Sequence, residues 1–149
     1  MTGMVIGGAL LAVSVFCGIL AAKREEKRHA FFRDGLQFFR FAKARVTTFK
    51  SAPADLFSGV PCADFYERYA KNDTTVCPAG VSDEEISMTD SFLSALYKSD
   101  YLAVQGVIQS ALCYLEEKER DTRAAAEKNG KLYRKLGFFA GVALFLFAL

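Results

Sequence analysis

The chain has no charged side chain before Lys23 and none after Lys135. It has no tryptophan, one histidine, and three prolines, none of them beyond Pro78. Each scarcity excludes something. His29 stands far in sequence from the soluble cysteines, and no two of Cys17, Cys62, Cys77 and Cys113 form a C-x-x-C pair. A zinc site needs about four ligands at regular spacing, so no metal is expected and the bland reading is four unpaired thiols. There is no P-loop, no G-x-S-x-G and no H-E-x-x-H, so neither an enzyme nor a cofactor is expected. No nucleic-acid motif occurs, and the basic residues cluster beside the apolar segments, so no nucleic-acid partner is expected.

The two charge-free segments carry the strongest positive signal. A charge at the centre of a bilayer is costly, so a long uncharged run points to lipid. Residues 1–22 are expected to form a transmembrane helix: Met4 to Ala22 spans about 28 Å at ~1.5 Å per residue, against a hydrocarbon core of ~30 Å. Residues 136–149 reach only about 21 Å. They can lengthen by taking in Leu132 and Tyr133 while Arg134 and Lys135 snorkel to the headgroups. A cleaved signal peptide is a rival for the first segment, but Lys and Arg are missing from its start. Lipid attachment at Cys17 is another, with bulky Phe16 standing where a small residue is wanted. Lys23, Arg24, Lys27, Arg28 and Arg33 follow the first segment, and Lys128, Lys131, Arg134 and Lys135 precede the second. Positive charge stays on the cytoplasmic side, so residues 23–135 are expected in the cytoplasm and both ends outside.

That middle can build one small domain, and its periodicity is helical. The first helix is expected to run from the membrane segment to about Lys50. Phe32, Leu36, Phe39 and Val46 make one stripe, and Phe38, Ala42 and Phe49 a neighbouring one. So wide an apolar face is either buried between two other helices or shared with another subunit. Pro53, Gly59, Pro61, Pro78 and Gly80 punctuate the next stretch, with a short helix expected over 63–70 and a loop over 71–81. Ser82 then opens a helix with a capping box, Glu85 standing at N3 and Asp83 and Glu84 favouring the positive end of the dipole. Ile86, Phe92, Leu93 and Leu96 are its expected core face. Ser99 is expected as the next N-cap, with Asp100 in the first turn. From there no proline interrupts the chain, and one helix is expected to continue into the second membrane segment, with Gly130 and Gly137 as weak points costing ~1 kcal/mol each. Val104, Ile108, Ala111, Leu112 and Leu115 line one face of it. The expected fold is all-α: two transmembrane helices flanking a small cytoplasmic helical bundle.

Charge is sorted along this domain. Residues 23–50 carry nine Lys and Arg against three Asp and Glu; residues 51–100 carry three against nine. The acidic stretch is either a solvated face or a docking surface for a basic partner, and Asp83, Glu84, Glu85 and Asp90 are its surface candidates. Ser14 is the one hydroxyl between Met4 and Ala22, too little to line an ion path. A small pore or holin-like protein is therefore a lesser alternative. Gly3, Gly7, Gly8, Ala12 and Gly18 allow close helix packing and a possible homo-oligomer.

The run from Ser99, SDYLAVQGVIQSAL, and the later KNGKLYRKLGFFAGVALFLFAL resemble the C-terminal half of the stage III sporulation protein AB family of endospore-forming Firmicutes. The family pairs a Ser-Asp with a Gln five residues on, here Ser99, Asp100 and Gln105. It ends in K-x-Y-R-x-L-G, here Lys131, Tyr133, Arg134, Leu136 and Gly137. The resemblance implies a sporulation complex linking mother cell and forespore, in the mother-cell-derived outer forespore membrane. The family's soluble domain is similar to that of type II secretion and type IV pilus platform proteins, which lack a catalytic centre and couple a cytoplasmic ATPase to an assembly beyond the membrane. The implied partners are membrane lipid, a stage III AA-like secretion ATPase and other stage III membrane subunits. A membrane-anchored regulator of a cytoplasmic enzyme is the alternative that the residues leave open.

Overall fold

The computed structural model describes residues 2–49, 79–98 and 101–148, and these are all-helical apart from a turn. The helices are α1 (Thr2–Phe49), α2 (Asp83–Lys98) and α3 (Tyr101–Ala148). The helix expected over 63–70, Cys62, Cys77, Ser99 and Asp100 lie outside the described residues. Of the loop expected over 71–81, only its last three residues are described. There Gly80 takes φ 93°, a left-handed conformation open to glycine at no steric cost, and turns the chain into the start of α2.

The two long helices each run through two compact units: Arg28–Asp121, and Met1–Lys27 with Thr122–Leu149. The Arg28–Asp121 unit has a conventional core. Phe31, Phe32, Leu36, Phe38, Phe39, Ala42 and Val46 of α1 meet Ile86, Leu93 and Leu96 of α2 and Val104, Ile108, Ala111, Leu112 and Leu115 of α3. Full burial of a Leu, Ile or Phe is worth about 1.5–3 kcal/mol, so this stripe holds the unit together. The rings of Phe31 and Phe32 and those of Phe38 and Phe39 meet edge to face, with centroids 5.3 Å apart in each pair. Phe31, Phe32, Phe38 and Phe39 of α1 are thus buried against the other two helices of their own chain. Phe92 is half-buried and leans on Tyr114, centroids 5.7 Å apart.

The Met1–Lys27 and Thr122–Leu149 unit is a pair of antiparallel helical segments joined at backbone distance. A Cβ added at Gly18 would stand 2.7 Å from the Tyr133 carbonyl oxygen and 3.2 Å from Gly137 Cα. Ser14 Oγ donates a hydrogen bond of 2.9 Å to the Gly137 carbonyl. The absence of side chains at Gly18 and Gly137 is what lets the backbones touch. Apart from Met88, every exposed large apolar side chain among the described residues is in this unit, from Ile6, Val13 and Phe16 on α1 to Phe138, Phe139 and Phe147 on α3. Among the described residues one helix is long and apolar enough to cross a membrane, over Ile6–Thr47 of α1. The apolar end of α3 does not reach that measure, since Lys131, Arg134 and Lys135 fall within its last eighteen helical residues.

Candidate functional site: the Glu85 cluster and the exposed face of α2

The start of α2 folds as its sequence dictates. Ser82 Oγ accepts a hydrogen bond from the Glu85 backbone N–H at 3.3 Å, and Glu85 Oε2 accepts one from the Ser82 N–H at 3.2 Å. Two of the amides that a helix start leaves without partners are thereby satisfied reciprocally. Glu85 Oε1 does something the capping pattern does not announce. It accepts from the Arg28 guanidinium of α1 at 2.7 Å and from the Lys118 ammonium of α3 at 2.9 Å. One carboxylate therefore caps α2 and ties it to both neighbours.

The electrostatics arise from that geometry. The Glu85 side chain is only 7% exposed. Burial pushes its carboxyl pKa up, but the hydrogen bonds from Arg28, Lys118 and the Ser82 amide outweigh this and bring it down to about 2. The Glu85 hydrogen bond raises the Lys118 pKa above its ordinary value, and burial raises that of Tyr114. The Lys118 ammonium also sits 5.8 Å from the centre of the Tyr114 ring. Next to the cluster, His29 Nε2 lies 3.9 Å from Glu119 Oε1, while His29 Nδ1 and Arg28 Nε are buried with no hydrogen-bond partner.

This geometry corrects the acidic docking surface. Glu85 is buried and its two oxygens are hydrogen-bonded within the unit, so its charge is compensated there rather than displayed. Asp83 and Glu84 are exposed and Asp90 is half-buried. Glu84 and Glu85 border an open groove of about 410 Å³ with Ser82, Ser87, Met88, Ser91, Tyr114 and Lys118. The other sequence candidates are dispersed. Gln105 is exposed and lines a second groove with Lys43, Val46 and Ile108. Lys131, Arg134 and Leu136 are exposed, Tyr133 is half-buried, and Gly137 is the close-contact residue of the two-helix unit. Arg134 is paired with Glu26 at 2.9 Å. No sequence signal marks Arg28, Lys118 and Tyr114 as members of the cluster. They lie 57, 33 and 29 residues from Glu85, and no local spacing joins them. Among the described residues no group of three or more His, Cys, Asp or Glu is placed to hold a metal ion.

The class defined by the described residues is a helical protein whose large exposed apolar side chains, Met88 apart, are gathered in one unit and whose buried Glu85 cluster lies in the other. The family model of stage III sporulation protein AB matches residues 64–149, more than half of the chain. The chain belongs to that family, and membership implies a role in stage III of sporulation. No curated protein and no solved structure matches the chain.

Proposed function

We propose that this chain is a non-catalytic platform subunit of the sporulation complex between mother cell and forespore. It is held in the membrane by two helical spans, with the Arg28–Asp121 unit in the cytoplasm. There the unit docks a secretion-type ATPase through the exposed residues of α2. The single observation carrying this reading is the sorting of exposed apolar side chains. Among the described residues, thirteen of the fourteen large ones belong to the Met1–Lys27 and Thr122–Leu149 unit. Water tolerates single exposed apolar residues; so many on one helix pair suit a lipid solvent. Orientation is supported by the basic residues that follow the apolar part of α1 and precede that of α3. The likeness of the family to platform proteins supports the scaffold role and the ATPase partner.

The experiment is fractionation of sporulating cells followed by capture. The chain should stay in the membrane pellet after alkaline carbonate, and an affinity-tagged chain should retain a stage III ATPase in mild detergent. Release into the carbonate supernatant would overturn the two-span membrane reading. Retention in the pellet without the ATPase would favour the anchored-regulator alternative.

A further inference from the structure

The apolar helix pair carries a basic collar. In the Met1–Lys27 and Thr122–Leu149 unit there are eight Lys and Arg against three Glu. Two of those glutamates are spent locally: Glu26 on Arg134 at 2.9 Å and Glu127 on Arg123 at 3.2 Å. The third, Glu25, is half-buried, with its Oε2 buried. Lys23, Arg24, Lys27, Lys128, Lys131 and Lys135 are all exposed, and no ion pair among the described residues engages them. The close contact of Gly18 with Tyr133 and Gly137 fixes the register that brings the two groups side by side. At ~1.5 Å rise per residue, the six charges fall in one band about 15 Å deep. That band directly adjoins the exposed Phe16, Ile19 and Leu20 of α1 and Leu136, Phe138 and Phe139 of α3.

We propose that this collar binds the anionic headgroups of phospholipids, so that the helix pair gathers acidic lipid around itself. The inference rests on the membrane reading above. Its occupant is set by two features together: unpaired positive charge, and continuity with an apolar surface that only the acyl chains of the same lipid cover. A basic residue near an anionic leaflet is worth about a fivefold preference. Lys and Arg stems also reach along apolar surface while the charged ends stay at headgroup level.

The absence of tryptophan supplies the assay. The variant Leu132→Trp, at an exposed position on α3, reports on the lipid at the collar. The full chain is reconstituted in vesicles of mixed phosphatidylglycerol and phosphatidylcholine, with one or the other brominated as quencher. Brominated phosphatidylglycerol should quench the more strongly, with a selectivity of about fivefold or greater that falls as salt is raised. In the triple variant Lys23→Gln, Lys131→Gln, Lys135→Gln, with helicity checked by circular dichroism, the selectivity should fall towards one. Soluble glycerol phosphate should not compete. Equal quenching by the two lipids in the unaltered collar would overturn the inference and leave the membrane reading standing. Quenching by neither lipid, with water-exposed emission, would overturn both. Loss of selectivity on adding polyglutamate would identify an acidic protein surface as the ligand and overturn the lipid inference.

Discussion

Glu85 shows how much one side chain can organise. The charged form is favoured in the folded state, where Arg28, Lys118 and the Ser82 amide all donate to it. Its pKa is depressed from 4.5 to about 2 on folding. The resulting stability is present above pH 4.5 and is lost as pH falls from there towards 2, because the unfolded chain takes up the proton first. Each pKa unit corresponds to about 1.4 kcal/mol, so the contribution at neutral pH is at most about 3 kcal/mol. Hydrogen exchange of the α2 amides in the detergent-solubilised chain, taken relative to the intrinsic rate at each pH, should accelerate through that window. In Glu85→Gln the acceleration should be absent, and the unfolding free energy at pH 7 lower by about 2–3 kcal/mol, because two partly buried cations lose their counter-charge. An unchanged pH profile in Glu85→Gln would remove the carboxylate from this role. The cap half of the residue was legible from the Ser-Asp-Glu-Glu spacing alone; the ionic half was not, because its partners are brought in by the packing of three helices.

At the scale of elements, period and capping made most of the bundle readable. Phe32, Leu36, Phe38, Phe39, Ala42 and Val46 of α1 and the stripe of α3 are buried as their spacing predicts, and α2 begins at the capping box. What escaped the sequence was the pairing partner of Gly18. A glycine in an apolar helix is as readily background composition as a contact, and Gly137 reads by itself only as a weak point. The structure separates glycines that no sequence rule separates. Gly8 has nothing within 4 Å of an added Cβ, whereas Gly18 has the Tyr133 carbonyl oxygen at 2.7 Å. Gly18→Ala should therefore part the helices and cost about 1–3 kcal/mol. Gly8→Ala should be neutral or stabilise by up to ~1 kcal/mol, through helix propensity alone. Thermal melts of the two variants in detergent make the comparison. A second expectation concerns α3, which continues without interruption through Gly130. Ala125→Pro should remove a helical hydrogen bond and cost ~3 kcal/mol or more, read as lost helicity.

At the scale of the whole molecule, composition disclosed the division of labour before any element was placed. Charge confined to residues 23–135 separates the apolar surface from the polar one. Composition does not disclose which acids remain available to a partner, since that depends on burial, and Glu85 is withdrawn by it. The docking expectation then rests on Asp83, Glu84 and Asp90, of which Glu84 and Asp90 are the ones to test. Reversal of both to lysine should weaken capture of the ATPase and reduce its dependence on salt, since both effects come from long-range charge. Folding should survive in the double variant. Undiminished capture at physiological salt would mean that the exposed acids of α2 only keep the surface solvated.

The contact between Ser14 and Gly137 joins residues 123 positions apart. A ribosome adding ~5–20 residues per second needs about 6–25 s to travel from one to the other. Throughout that interval the N-terminal half of α1 exists without the segment that covers Gly18. Its glycine face then lacks the partner it has in the folded chain. Closure of the pair is thus a late event in the life of each molecule, and any subunit that borrows the Gly18 face has those seconds in which to do so.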